Sequence, residues 1–320
     1  MSGHMYLSSF SIIEPEDKFY FYQPGWLNVW EAHLYNKVLK STHANGWGFK
    51  RFGTQPARYA PEMIRNPFYQ DYLEAIEQAA DEAVQALPTK ERMKLLKRQT
   101  AFIYLDSWGE TTPFENISSA LHISMIDTLP KNLVKRFGVS APTCKMRGEK
   151  QAFLQAIALA KDYLSWEVFD YVVICAAFRA IPVLVFSDED RPRTRSEKHR
   201  GRSDKVNLTV ERTGCFIFSR QESALKVTGG QYVIANSIQN AAEAECIAFA
   251  GVQKNLLQLS AIPQQHTLDL VDTYGASGCL TPALSIAWMN QHAHIAGKVR
   301  TVVPDKVQGY SYFDIQQCKE

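Results

Sequence analysis

The stretch Ala141–Leu164, APTCKMRGEKQAFLQAIALAKDYL, leads into Phe169–Ala177, FDYVVICAA, and its reading decides the fold. An extended approach (SAPTCK) meets a glycine, a helix is expected over Gly148–Leu164, and a buried strand follows. Alanines 152, 156 and 160 recur every fourth residue. Small residues at that spacing share one helix face and let the helix pack closely against another element. The same order returns near the end of the chain. TYGASGCLTPALSIAWMNQ (Thr273–Gln291) leads to GKVRTVVP (Gly297–Pro304). Gly148 stands to Val172 as Gly278 stands to Val302, at equal separation. This single internal match suggests two similar α/β halves, with chance coincidence as its competitor.

Around this pair the periodicity marks further elements. Tyr6–Ile13 reads as a first strand, and Pro24 to about Arg65 as an aromatic-rich irregular segment. Asn66–Leu87 is a strong amphipathic helix stopped by Pro88, and Gln99–Leu105 a short buried strand. A helix is expected over about Ser119–Phe137, ended by Gly138. Strand-like segments follow at Lys205–Leu208, Gly214–Ser219 and Tyr232–Ala235. Helices are expected at Gly251–Leu259 and Thr273–Ala296, and a strand at Lys298–Val303. Ser187–Lys205 holds seven Arg or Lys and almost nothing apolar. It reads as a solvated loop, with attraction of an acidic carrier protein or a cofactor phosphate as the functional alternative.

Bulk properties exclude several classes. The 320 residues are 46% hydrophobic and 21% charged, as in a soluble globular protein with a sizeable core. A formal net charge of +2 argues against a dedicated nucleic-acid binder. No apolar run approaches the roughly 20 residues of a membrane span. The six cysteines are scattered, without a CxxC pair or a Cys/His cluster, so no metal site is expected. No charged-then-apolar leader marks secretion, and reduced thiols in a cytoplasm are the expectation.

The chain resembles the thiolase-fold superfamily, in particular the ketoacyl-synthase-like condensing enzymes. The stretches that carry the resemblance run nearly end to end. QDYLEAIEQAADEAVQAL with RQTAFIYLDSWGE looks like the first helix and the strand after it. LVKRFGVSAPTCKMRGEKQAFLQAIALAKDYLSWEVFDYVVICAA looks like the nucleophile strand, elbow, buried helix and next strand. VERTGCFIFSRQESALKV and TYGASGCLTPALSIAWMNQHAHIAGKVRTVV look like a later strand and the penultimate glycine turn with its helix and strand. The resemblance implies a thiolase-like α/β fold of two similar βαβ-type halves in an αβαβα layering. The halves are expected at 1–190, with an aromatic-rich cap at 20–70, and 191–320, in one compact domain.

Such enzymes condense acyl thioesters with a cysteine at the elbow, assisted by two histidines or a histidine and an asparagine. A thiolate must form at neutral pH, and the developing oxyanion needs oriented donors. Counting back from Ala152 and Ala156 puts Met146 at the nucleophile position, and a thioether cannot form a thiolate. The best match to the histidine stretch is GVQKNLL, with Val252 where the histidine belongs. The third position, after the glycine of YGAS, is Ala276. No catalytic residue is therefore expected at these degenerate positions.

Cys144 is the alternative nucleophile, though it reads first as a small buried hydrophobe, since no histidine stands at a spacing that marks a partner. His266, in AIPQQHT, is the candidate base, while His292 and His294 suit a helix C-terminus. Lys145, Arg147, Glu149 and Lys150 crowd the helix start, where desolvating charges is costly for a site meant to receive an acyl chain. The resemblance then implies a non-catalytic subunit in the manner of a chain-length factor, without a cofactor. It would pair with an active ketosynthase in polyketide or fatty-acid-type biosynthesis, shape its acyl tunnel, and meet an acyl carrier protein only indirectly. Residues flanking Trp108–His122 would contribute to that interface. The alternatives are a divergent condensing or acyl-transfer enzyme using Cys144, or a free-standing scaffold of the same fold.

Overall fold

The computed structural model describes residues 5–16, 19–25, 29–52, 70–109, 131–137, 143–189, 204–235, 238, 240–251, 267–292, 294–305 and 309–318. The strands are β1 (Met5–Ile13), β2 (Phe19–Phe21), β3 (Gly46–Lys50), β4 (Thr100–Ser107), β5 (Thr143–Arg147), β6 (Tyr171–Phe178) and β7 (Val206–Val210). They continue with β8 (Arg212–Ser219), β9 (Leu225–Val233), β10 (Cys246–Phe249), β11 (Thr267–Asp269), β12 (Lys298–Pro304) and β13 (Tyr310–Gln317). The helices are α1 (Val29–Thr42), α2 (Gln70–Ala86), α3 (Thr89–Lys97), α4 (Lys131–Arg136), α5 (Lys150–Ser165), α6 (Pro182–Glu189), α7 (Leu270–Tyr274) and α8 (Leu284–Gln291).

Ten strands form one ladder in the order β11-β10-β12-β13-β9-β1-β8-β6-β4-β5. It divides into two five-strand halves, joined where β1 pairs with β9 over Met5–Leu7. In the first half the order is β5-β4-β6-β8-β1, and in the second β11-β10-β12-β13-β9. The pairing senses agree as well. In each half the first three strands run parallel, and the fourth and fifth pair antiparallel. Gly148 and Gly278 both precede the helix that leads from the edge strand to the third strand of their half, and Val172 and Val302 lie on those third strands, β6 and β12. The internal repeat is thus a repeat of topology.

The helix α5 forms the middle layer. Its buried residues Ala152, Phe153, Leu154, Ala156, Ile157, Ala160 and Leu164 cover far more than one stripe, as a helix buried on several sides requires. Alternate residues of β4, β6 and β8 face it: Ala101, Ile103 and Leu105, then Val172, Ile174 and Ala176, then Phe216 and Phe218. Val227, Val299, Phe313 and Ile315 of the second half belong to the same cluster. The opposite faces of the first-half strands carry Phe102, Tyr104, Tyr171, Val173 and Ile217. These pack beneath Tyr72, Ile76, Ala79, Ala80 and Ala83 of α2, with Leu95 of α3 and Leu133 of α4 in the same cluster. These are four layers of the αβαβα order (outer helices, half-sheet, buried helix, half-sheet), built by the two-residue period of the strands. A Cβ on Gly230 of β9 would come within 2.5 Å of the Ala158 methyl, so backbone and helix touch directly there.

Several expectations are corrected. Pro24–Arg65 is not wholly irregular: α1 and β3 occupy part of it, while residues 53–69 lie outside the described residues. The helix expected over Thr273–Ala296 is broken, because Gly275 and Gly278 take positive φ (80° and 48°) and α8 starts only at Leu284. The strand expected at Tyr232–Ala235 ends at Val233. In chain order β8 (Arg212–Ser219) is the last strand of the first five, and β9 (Leu225–Val233) is the first of the second five. The helix expected at Gly251–Leu259, most of Ser119–Phe137 and most of the basic segment 187–205 lie outside the described residues. No helix among the described residues is long and apolar enough to cross a membrane.

β2 and β3, before α2, build a small second sheet with β7, in the order β2-β3-β7. Its core is aromatic: Tyr22, Trp47 and Phe49 surround Phe186 of α6 at ring distances of 5.0, 5.2 and 6.1 Å. The Trp47 indole N–H donates to the Thr209 hydroxyl (2.9 Å), tying β3 to β7. This cap holds α6, whose last residues reach the site described below.

Phe153 of α5 packs edge-on against Phe216 (5.2 Å) and contacts Phe313 of the other half (6.0 Å). Truncating it opens a cavity shared by both halves, so Phe153→Ala is expected to lower unfolding stability by about 3–5 kcal/mol in urea denaturation.

Candidate functional site

In sheets of this kind, sites form beyond the C-terminal ends of the parallel strands. Here β4, β5 and β6 end at Ser107, Arg147 and Phe178, and the turn from β5 into α5 is Gly148–Glu149. Glu149 holds the N-cap position, with φ −90° and ψ −143°, but its side chain does not cap its own helix. The carboxylate turns instead to the end of β4. Its Oε1 accepts from the backbone N–H groups of Trp108 (3.1 Å) and Gly109 (2.7 Å). Its Oε2 accepts from the Ser107 hydroxyl at 2.8 Å. That hydroxyl in turn accepts from the backbone N–H of Cys279, at 3.1 Å.

The second half reaches the elbow through the 3-10 turn Gly278–Leu280. A Cβ on Gly278 would lie 2.2 Å from the Ser107 oxygen and 2.7 Å from Oε2 of Glu149. The preceding residue pair is tied to β7: Ala276 N–H donates to the Leu208 carbonyl, and the Ala276 carbonyl accepts from Val210 N–H, both at 2.8 Å. A cavity of about 20 Å³ remains beside the carboxylate, lined by Glu149, Lys150, Asp188, Thr209, Ala276 and Gly278 among others. That is room for about one water.

Electrostatically the site is acidic. Burial, and then the nearby Asp188 carboxylate, push Glu149 up from 4.5 to about 7, against the three hydrogen bonds that favour its ionised form. Asp106 is also raised by burial, while the Trp108 indole N–H (2.6 Å) and Lys145 (3.5 Å) oppose the shift. Lys150 is paired with Glu189 of α6 at 3.3 Å. The fully buried Cys279 thiol is pushed well above its ordinary range by desolvation and then by Glu149.

The candidate residues are distributed unevenly around this centre. Ala276 lines the cavity. Met146 lies inside β5, before the turn, and with Cys144 packs as a half-buried residue against the central core. Cys144 stands opposite Ile103 of β4 and five residues before Glu149. Val252 and His266 lie outside the described residues. His292 is the C-cap of α8, its Nδ1 3.0 Å from the Trp288 carbonyl and its ring stacked on that indole. Among the described residues no group of three or more His, Cys, Asp or Glu could hold a metal ion.

Sequence reasoning registered Glu149 only as one of several charges and did not single out Ser107, Gly109 or Asp188. The signal was present in AFIYLDSWG, where two polar residues close an otherwise apolar strand.

The raised pKa of Glu149 links this site to stability. Between pH 4.5 and 7 the unfolded chain has lost the Glu149 proton while the folded chain keeps it. Unfolding stability therefore falls as pH rises through that window, by about 1.4 kcal/mol per pH unit from this residue. Glu149→Gln is expected to remove that slope in denaturation curves recorded at pH 5 and pH 8. An unchanged slope would place the titration elsewhere.

No protein-family model and no curated protein matches the chain. Solved structures do. Xanthomonas campestris OleA, as a single-residue variant, aligns at 11% identity and a TM-score of 0.58, over 98% of this chain and 99% of that one. OleA with bound lauric acid and lauroyl-CoA aligns at 11% identity and a TM-score of 0.57, over 99% and 100%. The 3-oxoacyl-(acyl carrier protein) synthase III, FabH, of Xanthomonas oryzae aligns at 11% identity and a TM-score of 0.56, over 98% of each chain. With the paired half-sheets and the buried α5 between them, these likenesses give the chain the thiolase-like fold.

Proposed function

We propose that this chain is a non-catalytic, chain-length-factor-like subunit that pairs with an active ketosynthase in polyketide or fatty-acid-type biosynthesis. One observation carries the reading: the strand-to-helix turn, where this fold presents a nucleophile, presents the buried carboxylate of Glu149. Both of its oxygens are occupied by Ser107, Trp108 and Gly109. The cavity beside it, about 20 Å³, has no room for an acyl chain. Met146, on the strand before the turn, and Ala276, on the cavity wall, add no ionisable group. Val252 belongs to the same reading through the sequence alone. In this role the chain would act in the cytoplasm, would shape the acyl tunnel of its partner, and would meet the acyl carrier protein through that partner.

The competing reading is a divergent condensing or acyl-transfer enzyme with Cys144 as nucleophile and His266 as base. It draws on the neighbours, one solved with lauroyl-CoA and one named a synthase. Against it, Cys144 is held within β5 and faces the core packed around α5.

Co-expression with a partner ketosynthase separates the two. In the proposed role, Cys144→Ala leaves condensation by the pair unchanged, and a cerulenin-type or acyl-thioester probe labels the partner alone. Loss of activity in that variant, or an adduct mapped to Cys144, would establish the competing reading.

A further inference from the structure

A second concave site lies at the opposite end of the sheet. The strand β4 separates the two: Gln99, just before it, binds Asp170 N–H through its carbonyl, while Ser107 ends it at the elbow. At about 3.3 Å per residue the ends of β4 are roughly 23 Å apart. This second cleft has a volume of about 380 Å³. Binding pockets for small molecules begin at about 300 Å³.

Its lining comes from three separate parts of the chain: Lys94 and Arg98 at the end of α3, Asp170 and Tyr171 at the start of β6, and Ser219, Arg220 and Gln221 at the end of β8. Three cations and one carboxylate therefore face the same space. Asp170 sits between the two guanidinium groups, 3.6 Å from Arg98 and 3.5 Å from Arg220. Lys94 Nζ donates to the Gln221 side-chain oxygen (3.1 Å) and to Glu91 (2.8 Å). Glu91 is itself fixed by the Tyr171 hydroxyl (2.7 Å), and Glu167 meets the outer side of Arg220 (2.8 Å). These pairs are partly exposed, and pairs of that kind are weak enough for a stronger anion to displace. Two forked guanidinium groups with an ammonium beside them match the donor geometry of a phosphoryl group, which would replace Asp170 between them and leave Glu91 on Lys94 and Glu167 on Arg220.

We propose that this cleft binds a phosphomonoester group, with Arg98 and Arg220 as its principal ligands and Lys94 as a third cation. The elbow takes no part in this binding, so the inference stands apart from the function proposed above. The phosphomonoester belongs either to a small soluble molecule or to a lipid headgroup. The flanking side chains Met93, Leu96 and Trp166 are exposed, which leaves both sources sterically open.

Isothermal titration with glycerol 3-phosphate at low salt, and sedimentation with vesicles carrying phosphatidate, test the proposal and separate the sources. Saturable binding in either arm is expected, weakened about tenfold or more by Arg98→Gln and by Arg220→Gln. Lys40→Gln on α1, which removes one charge elsewhere, is expected to bind as the parent does. Binding in the soluble arm assigns a small metabolite, and binding to vesicles alone assigns a headgroup. Absence of saturable binding in both arms overturns the proposal. Equal weakening by all three substitutions also overturns it, since that is the signature of unspecific charge attraction.

Discussion

The whole arrangement depends on α5 being buried between two half-sheets. A helix in that position keeps only a narrow exposed strip, at Gln155 and Asp162, so its apolar positions exceed one stripe. It also needs small residues where strand backbone approaches, as at Ala158 against Gly230. Once α5 is so placed, its N-terminus can only emerge where β4, β5 and β6 end. The symmetry-related turn at Gly278 is then drawn against Ser107 and Glu149, closely enough that no side chain fits on it. The elbow is thus a consequence of the core, and its chemistry depends on the few residues that happen to stand there.

Those residues balance opposing effects of similar size. Removing a carboxylate from water favours its neutral form, and Asp188 nearby adds to this. Two backbone N–H groups and a hydroxyl pull the other way. The outcome, a carboxyl group raised to about 7, means that burial and repulsion prevail. Relative to an ordinary glutamate the ionised form is disfavoured by about 3 kcal/mol. The cap contributes to that result. By packing Phe186 among Tyr22, Trp47 and Phe49 it fixes α6, and α6 brings Asp188 and Glu189 to the elbow.

The sequence made the fold legible where physical periodicity is strong. The α5 alanines, the Val-rich strands β6 and β12, and the equal glycine-to-valine separation anticipated the repeat that the sheet order displays. It failed where local signals are weak or misleading. The helix α1 buries only Val38 and Leu39, so its periodicity is faint. The segment Thr273–Ala296 has a helical composition, but Gly275 and Gly278 are used for close approach and interrupt it. At the elbow, counting six residues back from Ala152 leads to Met146, which lies inside β5 and before the turn. Where the helix begins is decided by the end of the β5 ladder at Arg147, a tertiary fact.

On the reading proposed above, a cysteine placed at position 149 would not make this turn a nucleophile site. A catalytic thiol requires surroundings that favour the thiolate, normally a cation, a histidine or an open helix N-terminus. The field here has the opposite sign. Asp106, Asp188 and Glu189 surround the turn, and the two nearest ammonium groups, Lys145 and Lys150, are already engaged by Asp106 and Glu189. The nearby Cys279 thiol, fully buried, is pushed well above its ordinary range by desolvation first, and then by Glu149 and Asp106. The helix dipole of α5 does point toward position 149, but its contribution of about 0.3–2 kcal/mol is smaller than the desolvation that already overcomes three hydrogen bonds at Glu149. On the proposed reading, the charge set of the elbow and the room left beside it count as much as the residue at the turn.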